Sequence, residues 1–244
     1  MDYEVVGKPI PRMDALEKAT GGAVYGVDVK LPGLLHAKIL RSPLPHARIL
    51  NIDTSRAQRL LGVKAVVTGQ DFPVTYGSAL QDQPVLAIDR VRYVGEGVAA
   101  VAAVDEDVAE EALSLIRVEY EKLPAVFDPR EAMQEGAVLV HPDLHTYPKD
   151  TITRPLPGTN VCHYFTLRHG DVNEGFAQAD LIFEDTFTSQ MVQHCSLEPN
   201  VAVAQVDATG KITLWSSTQA PYVVRRELAD SMGMPMTHIR VICP

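Results

Sequence analysis

Residues 215–244 read WSSTQAPYVVRRELADSMGMPMTHIRVICP. The order of apolar and polar residues predicts a strand, a polar elbow, a helix and a second strand. Pro221 suits the first position of the helix, where its missing N–H costs nothing. Gly233 suits the end of the helix, and Pro235 lies just beyond it.

Gln219 lies at the mouth of the elbow. A helix start leaves unpaired N–H groups and a partial positive charge, and both favour an oxyanion. The carboxamide of Gln219 can donate a hydrogen bond to an oxo or phosphate oxygen and accept one from an amide. Spacing alone favours the simpler interpretation that Gln219 only satisfies a turn, because strand, turn and helix form a common unit.

The composition is that of a globular protein with an acidic balance. The 244 residues carry a net charge of −9 and no Lys/Arg cluster, which argues against a nucleic acid partner. The longest uncharged apolar run near the middle, residues 97–104, is too short to span a bilayer. The charged N-terminus lacks the apolar core of a secretory signal, so we expect a cytoplasmic location.

The cysteines limit the metal chemistry of the chain. Cys162, Cys195 and Cys243 are odd in number and form no C-x-x-C pair, which fits a reducing compartment. An iron–sulfur cluster needs four ligands, so an all-cysteine cluster within this chain is excluded. Any such cluster must lie elsewhere.

The first half of the chain predicts strands and short helices. Residues 23–29 (AVYGVDV) are strand-like, and two later strands joined by a short polar connection suggest a hairpin or a bent pair. A strand, an acidic-starting helix and another strand then form a β-α-β unit, the usual source of a parallel pair. In order, the predicted elements are a strand ending at residue 40, a strand at 47–52, a helix at 56–61, strands at 63–68, 91–93 and 98–104, a helix at 107–115 and a strand at 117–121.

Residues 123–157 are rich in proline and turn residues and form the predicted linker, with a short helix near 130–135. His141 and His145 have a spacing that could bind a metal on one helical face. The flanking prolines favour irregular structure, in which both are exposed loop histidines.

A second unit begins near residue 160. It predicts a strand at 161–167, a helix from about residue 171, a long strand at 181–189 and a strand at 201–206. The intervening QHCSLEP gathers His194, Cys195 and Glu198 in a short span. A zinc site would need a fourth ligand that the sequence does not identify, and we prefer a connection whose polar groups line or support a pocket. No nucleophile motif, P-loop or G-x-G-x-x-G fingerprint is present.

Several of these segments together resemble a known family. GKPIPRMDALEKATGGAVYGVDVKLPGLLHAKILRSPLPHARILNID, VRYVGEGVAAVAA, AEEALSLIRVEYEKLPAVFDPREAM, GDVNEGFAQAD and LWSSTQAP occur in an order typical of one group. The chain closely resembles the start of the molybdenum-binding large subunits of the xanthine dehydrogenase and aldehyde oxidase family. Several independent motifs in the right order make the resemblance specific.

The resemblance implies an α+β fold, an α/β hammerhead domain followed by the first segment of a mixed α/β molybdopterin-binding domain. The expected divisions are an N-terminal arm (1–20), the hammerhead domain (21–126), a linker (127–158) and the beginning of the molybdopterin-binding domain (159–244). It also implies that Gln219, the glutamine of the STQ motif, hydrogen-bonds an oxo ligand of the molybdenum. No catalytic residue and no protein metal ligand is assigned in this chain.

The family implies a molybdopterin cofactor, as the cytosine dinucleotide or a similar form, in the complete protein. It also implies [2Fe–2S] and FAD on other subunits or domains. The reaction is hydroxylation of a purine, another N-heterocycle, an aldehyde or carbon monoxide, with oxygen from water. The sequence ends before the glycine-rich GGGFG motif and the glutamate base of the family, so we expect no activity from this chain alone.

Three interpretations stay open. The chain is an N-terminal part of a large subunit, completed by further chain or by a second molybdopterin-binding chain. Alternatively it is a non-catalytic remnant or subunit-interaction module, or the hammerhead region binds small molecules without redox chemistry. The last interpretation ranks lowest, because no convergent polar cluster is evident there. Unpaired apolar surface near the C-terminus predicts association into oligomers.

Overall fold

The computed structural model describes residues 3–244 and divides into two compact units. The large unit is Leu35–Cys195, and the small unit joins the residues up to Leu34 with Ser196–Pro244. Each unit has its own hydrophobic cluster. Because N-terminal residues group with C-terminal ones, these units do not follow chain order. The domain boundaries expected from the sequence stay a prediction.

The described residues form strands and helices in a mixed order. The strands are β1 (His36–Arg41), β2 (Ala47–Asp53), β3 (Val63–Thr68), β4 (Thr75–Tyr76), β5 (Gln83–Pro84), β6 (Arg90–Val91), β7 (Gly97–Ala103), β8 (Arg117–Lys122), β9 (Ala202–Val206), β10 (Ile212–Ser216) and β11 (Ile239–Ile242). The α-helices are α1 (Ala15–Thr20), α2 (Ser55–Gln58), α3 (Glu106–Leu115), α4 (Pro129–Ala132), α5 (Val172–Gln178) and α6 (Pro221–Met232). Short 3-10 turns cover Gly26–Asp28, Leu144–Thr146 and Met236–His238. No helix within residues 3–244 has the length and apolarity that a bilayer crossing requires.

Besides the short β4-β5 pair, the large unit contains two antiparallel sheets of three strands each. Their strand orders are β1-β7-β3 and β6-β2-β8. The sequence of β7, GVAAVAA, is apolar throughout because both of its faces are covered. Val98 packs into one cluster with Ala47 and Val91, whereas Ala99 and Val101 pack into another. The central strand thus joins the two cores of the large unit.

Helix α3 covers the β1-β7-β3 sheet. The Asp105 side chain caps it by accepting a hydrogen bond from the Val108 N–H at 2.8 Å, and acidic residues follow in its first turn. Ala112 is fully buried against Ala57, Ala99 and Val101. These small side chains allow the helix to approach the strands closely. The predicted helix, strand β3 and strand β7 are therefore confirmed, with shifts of a residue at some ends.

Two expected pairings in the large unit are wrong. Strands β7 and β8 flank α3 but lie in different sheets, so the β-α-β unit makes no parallel pair. The reason is that β7 already has antiparallel neighbours, β1 and β3, on both edges. Strands β1 and β2 likewise belong to separate sheets, so of the two expected arrangements, a hairpin or a bent pair, the hairpin is wrong. Consecutive strands here switch sheets, which local sequence does not reveal.

The predicted strands at 161–167 and 181–189 are also absent. These residues form no ladder within the described chain, and Phe183 and Phe187 are 87% and 89% exposed. A strand exists only when a neighbour accepts its backbone hydrogen bonds, and none is provided here. Helix α5 in between is confirmed, with the Asp171 side chain capping its first turn at 2.9 Å from the Asn173 nitrogen.

The small unit contains the strand-elbow-helix-strand arrangement expected from residues 215–244. Strand β10 pairs antiparallel with β9 and parallel with β11, and α6 connects the parallel pair. Ile212, Ala229 and Ile239 are buried together between strand and helix. Pro221 begins α6, and Gly233 ends it with a left-handed φ of 60°. The prediction is confirmed in its order and in both helix ends.

Arg225 fixes α6 to the connection that follows it. Its guanidinium donates to the carbonyl of Met236 at 2.6 and 3.0 Å and to the carbonyl of Ile239 at 2.8 Å. A charged donor strengthens each of these hydrogen bonds. The start of β11 is therefore held against the helix.

The two linker histidines have different surroundings. His145 is exposed, as expected, but His141 is half-buried, and its ring meets that of Tyr147 edge to face with the two centroids 5.6 Å apart. Burial, with Arg92 nearby, lowers the pKa of His141 from 6.5 to about 4. Within residues 3–244, no three His, Cys, Asp or Glu side chains are grouped as metal ligands require.

The His141 pKa predicts a stability that decreases in acid. Below pH 6.5 His141 of the unfolded chain becomes protonated, whereas His141 of the folded chain stays neutral until about pH 4. The free energy of unfolding therefore falls as the pH decreases through this window. His141→Phe keeps the ring contact and removes the titration. We expect it to lessen the loss of unfolding free energy between pH 7.5 and 5 by about 1 kcal/mol, after allowance for solvent screening. Urea unfolding followed by circular dichroism measures this.

His145→Phe is the matched control, since it makes the same chemical change at an exposed position. Its pH dependence should equal that of the unchanged chain. If the unfolding free energy of His141→Phe changed with pH as steeply as that of the unchanged chain, His141 would not be the group responsible.

Gly69 is predicted to be intolerant of a side chain. A Cβ at this position would lie 2.3 Å from the carbonyl oxygen of Ala87, so the backbone would have to move. We expect Gly69→Ala to destabilise the large unit by about 2–4 kcal/mol. Gly175→Ala in α5, where a Cβ meets nothing within 4 Å, should be neutral or slightly stabilising. Urea midpoints that are equal for the two variants would refute this account.

Candidate functional site

The elbow between β10 and α6 lies at one edge of the small sheet. Because β10 and β11 are parallel, their carboxyl ends meet at the same edge. Residues 217–220 follow β10 there, and Cys243 follows β11. Ligands of open α/β sheets bind at such carboxyl ends. This edge is therefore the candidate site.

Ser217 is the anchor of the elbow. Its N–H donates to the carbonyl of Val201 at 3.1 Å, which extends the β9–β10 ladder by one hydrogen bond. Its hydroxyl donates to the Glu198 carboxylate at 2.9 Å, with the Pro199 carbonyl farther away at 3.5 Å. Both the backbone and the side chain of Ser217 are thus tied to the segment before β9.

Gly26 packs tightly against this anchor. A Cβ on Gly26 would lie 3.0 Å from the Ser217 hydroxyl oxygen and 3.4 Å from the Val201 Cβ. The segment predicted to be strand-like at 23–29 is instead a 3-10 turn over Gly26–Asp28. The Asp28 carboxylate closes this turn by accepting from the Tyr25 N–H at 2.9 Å. A local capping interaction overrides the strand pattern here.

Gln219 is exposed at the rim of a cavity of about 620 Å³. The Thr218 hydroxyl oxygen accepts from the Ala220 N–H at 3.1 Å, a contact that spans Gln219. The N-cap residue of α6 is Ala220, and its methyl side chain cannot cap the helix start. The elbow therefore presents a carboxamide beside a helix start whose N–H groups lack a capping side chain.

The cavity lies within the small unit and is lined by both polar and apolar residues. Neutral hydrogen-bonding groups line the elbow side, and acidic groups come from α1 and from Glu198. Lys18 and Arg12 pair with Asp14 at 2.8 and 2.7 Å, which holds the pKa of Asp14 below its usual range. The lining residues are Asp14, Glu17, Lys18, Ala23, Val24, Tyr25, Ser196, Glu198, Asn200, Ser217, Thr218, Gln219, Cys243 and Pro244.

The residues of QHCSLEP separate in the structure. Glu198 lines the cavity and contacts Ser217, in keeping with the preferred interpretation of polar groups that support a pocket. His194 and Cys195 are exposed and belong to the large unit, and Cys195 has a φ of 47°. The sequence identified Glu198 but not its partner, and it missed Gly26. No local signal joins residues so far apart in the chain.

A second cavity, of about 420 Å³, lies in the large unit, where no convergent polar cluster was expected. The expectation was wrong, since Arg41, Arg92, Glu96 and His141 all line it. Glu96 accepts from the Arg92 backbone N–H at 2.5 Å, and Arg41 donates to the Gly95 carbonyl at 2.8 Å. Within residues 3–244 the buried Arg92 Nε has no hydrogen-bond partner. Burial raises the pKa of Glu96.

Two family descriptions match consecutive parts of the chain. "Aldehyde oxidase and xanthine dehydrogenase, a/b hammerhead domain" matches residues 20–124, and "Molybdopterin cofactor-binding domain" matches residues 155–244. The expected fold class, α+β with a hammerhead domain before the start of a molybdopterin-binding domain, is confirmed.

Individual relatives agree with these descriptions. The nicotinate dehydrogenase large molybdopterin subunit of Eubacterium barkeri is 35% identical over 243 residues, which are 99% of this chain and 54% of that protein. A probable xanthine dehydrogenase component of Bacillus subtilis (strain 168) is 38% identical over 241 residues, 98% of this chain and 30% of that protein.

Among solved structures, reconstituted CO dehydrogenase from Oligotropha carboxidovorans matches with a TM-score of 0.84 and 36% identity. The match covers 98% of this chain and 30% of that chain. The chain thus spans about half the length of one relative and about a third of the others. It belongs to the xanthine dehydrogenase and aldehyde oxidase family and corresponds to the N-terminal part of the molybdenum hydroxylase large subunit.

Proposed function

We propose that this chain contributes to a molybdenum hydroxylase and that Gln219 binds its molybdenum cofactor. The observation that carries the proposal is the position of Gln219 at the carboxyl edge of the parallel pair, beside the start of α6. A carboxamide there donates a hydrogen bond to an oxo group, and the helix start favours negative charge. Two residues earlier, Ser217 is held by both its N–H and its hydroxyl.

The donor set of the cavity fits part of such a cofactor. Ser196, Asn200, Thr218 and Gln219 offer neutral donors and acceptors of the kind that bind a pterin and oxo ligands. Asp14 and Glu17 do not suit a phosphate, because like charges repel. We therefore assign the neutral residues of the elbow side to molybdopterin, in the cytosine dinucleotide or a similar form.

The cofactor supplies hydroxylation of an electron-poor carbon with oxygen from water. In this proposal the residues of the chain bind and orient it, and no side chain here acts as the base. The substrate is a purine, another N-heterocycle or an aldehyde, and xanthine-dehydrogenase-type specificity is the narrower form of the proposal. The named relatives act on nicotinate, xanthine and CO, which supports the broad class more than any single substrate.

The proposed partners are subunits or domains that carry [2Fe–2S] and FAD, because the three exposed cysteines of this chain cannot hold a cluster by themselves. Further molybdopterin-binding polypeptide, in the same protein or as a second chain, completes the cofactor site. The resulting assembly is an oligomer without activity from residues 1–244 alone. Exposed free cysteines also support a reducing, cytoplasmic setting.

A non-catalytic role as a subunit-interaction module is the second candidate. The observation in its favour is the continuous exposure of residues 162–197, which include Phe165, Phe183 and Phe187. Such a surface suits the binding of other polypeptide. Molybdenum content of the purified assembly separates the two functions, because the module requires none.

Gln219→Ala should impair the assembled enzyme without unfolding it. Loss of one hydrogen-bond donor at a reacting centre predicts a fall in turnover of about 100-fold. Because Gln219 is exposed, the thermal unfolding temperature should stay unchanged. Steady-state kinetics and calorimetry of the purified complex measure both quantities.

Gln205→Ala provides the control, since Gln205 is another exposed glutamine of the small unit and does not line the cavity. It should leave turnover intact. Normal turnover in Gln219→Ala would remove Gln219 from the proposed cofactor site.

The exposed segment gives a separate prediction. Backbone that lacks hydrogen-bonded neighbours is cleaved readily, so limited proteolysis of the isolated chain should cut first within residues 162–197. In the assembled enzyme the same bonds should be protected by at least about tenfold, since covering polypeptide supplies the missing neighbours. Mass spectrometry of the early fragments locates the cuts. Resistance of this segment in the isolated chain would contradict the idea that it is left uncovered.

A further inference from the structure

We infer that Glu198 is a positioning residue for Gln219 and acts through the hydroxyl of Ser217. The inference rests on the proposed function for its consequence in the enzyme, but its structural part concerns only residues 198–219. The role is to hold the elbow in the conformation that presents Gln219.

Glu198 differs from its neighbours in burial. Every other residue from 162 to 200 is exposed, whereas Glu198 is half-buried. An acidic side chain loses hydration when it is partly buried and needs a hydrogen-bond donor in return. The Ser217 hydroxyl, 2.9 Å from the Glu198 carboxylate, is that donor.

The alternative acceptor for Ser217 is weak. The Pro199 carbonyl lies 3.5 Å from the hydroxyl, at the limit of hydrogen-bond distance. Without the carboxylate, the hydroxyl would therefore have no good acceptor in this arrangement. On the side of Ser217 that faces Gly26 there is no room for an added atom, because a Cβ on Gly26 would lie 3.0 Å from the hydroxyl oxygen.

The link from Ser217 to Gln219 runs through the backbone. The Ser217 N–H is bound to Val201, so this residue is held by its main chain and its side chain to one short segment. Two residues later comes Gln219, with the contact between Thr218 and Ala220 spanning it. A residue fixed at two points restricts the φ and ψ angles that the next residues can sample. Release of the Glu198 contact leaves only the single backbone hydrogen bond.

Nuclear magnetic resonance of the ¹⁵N-labelled full chain tests the structural part. We expect Glu198→Ala and Ser217→Ala to lower the backbone order parameters of residues 217–220 from about 0.85 to below about 0.6. Glu198→Gln should restore most of the order, because its amide oxygen accepts the same hydrogen bond. The amides of β9, β10 and β11 should keep their shifts, which shows that the small unit stays folded.

Glu17→Ala is the matched control, since it removes another carboxylate from the lining of the same cavity without a contact to Ser217. It should leave residues 217–220 ordered. The Glu198→Ala/Ser217→Ala double variant should be no more mobile than either single variant, because both remove one interaction. If Glu198→Ala does not fold, Ser217→Ala alone carries the test, as it deletes only the hydroxyl.

Unchanged order in Glu198→Ala, or mobility in the double variant that equals the sum of the single effects, would overturn the inference. So would a failure of Glu198→Gln to restore order, which would indicate a role for the charge itself.

The assembled, molybdenum-loaded enzyme tests the consequence. We expect Glu198→Ala to lower kcat by about 10–100-fold with little change in KM, as a misplaced group does, and to alter the molybdenum electron paramagnetic resonance signal. Glu198→Gln should return both towards normal. If Gln219→Ala leaves kcat and the signal unchanged while Glu198→Ala loosens the elbow, the proposed function fails and the positioning contact stands. If Gln219→Ala lowers kcat but Glu198→Ala changes neither the elbow nor the signal, the positioning role fails alone.

Discussion

The parallel pairing of β10 with β11 is the constraint on which the candidate site depends. Parallel neighbours need a crossover, and α6 provides it while burying Ala229 between Ile212 and Ile239. The crossover places the end of β10, the start of α6 and the end of β11 along one edge. Gln219 reaches this edge because it lies in the turn that the pairing requires. The chemistry of the cavity therefore follows from a backbone arrangement rather than from any single side chain.

The site also depends on residues that are distant in the chain. Gly26 packs on Ser217, and Glu198 accepts from the same serine, so three separate segments meet at one hydroxyl. A small unit built from residues 3–34 and Ser196–Pro244 makes this possible. In the large unit, antiparallel strands occupy both edges of β7, and the buried Glu96 carboxylate accepts from the Arg92 backbone N–H. In the large unit both edges of the central strand are thus paired, whereas the small unit presents polar groups at the carboxyl edge of its parallel strands.

Local interactions explain which elements could be predicted. Pro221 and Gly233 mark the ends of α6, Asp105 caps α3, and Asp171 caps α5, each through contacts within a few residues. The same local reasoning failed at 181–189, where the alternation of a strand is present but no described strand accepts its hydrogen bonds. It failed again at Gly26–Asp28, because the Asp28 side chain closes a turn inside a strand-like sequence. Elements defined by their own residues were predictable, and elements defined by a neighbour were not.

By itself the sequence determined the α+β class, the order of strand, elbow and helix around Gln219, and the family to which the chain belongs. Those properties are encoded in short-range patterns of apolar, turn and capping residues. Only the tertiary structure decided that β7 and β8 lie in different sheets, that His141 is half-buried, and that Glu198 and Gly26 converge on Ser217. The reason is that strand pairing and side-chain burial depend on which distant residues meet, and local sequence patterns do not specify those contacts.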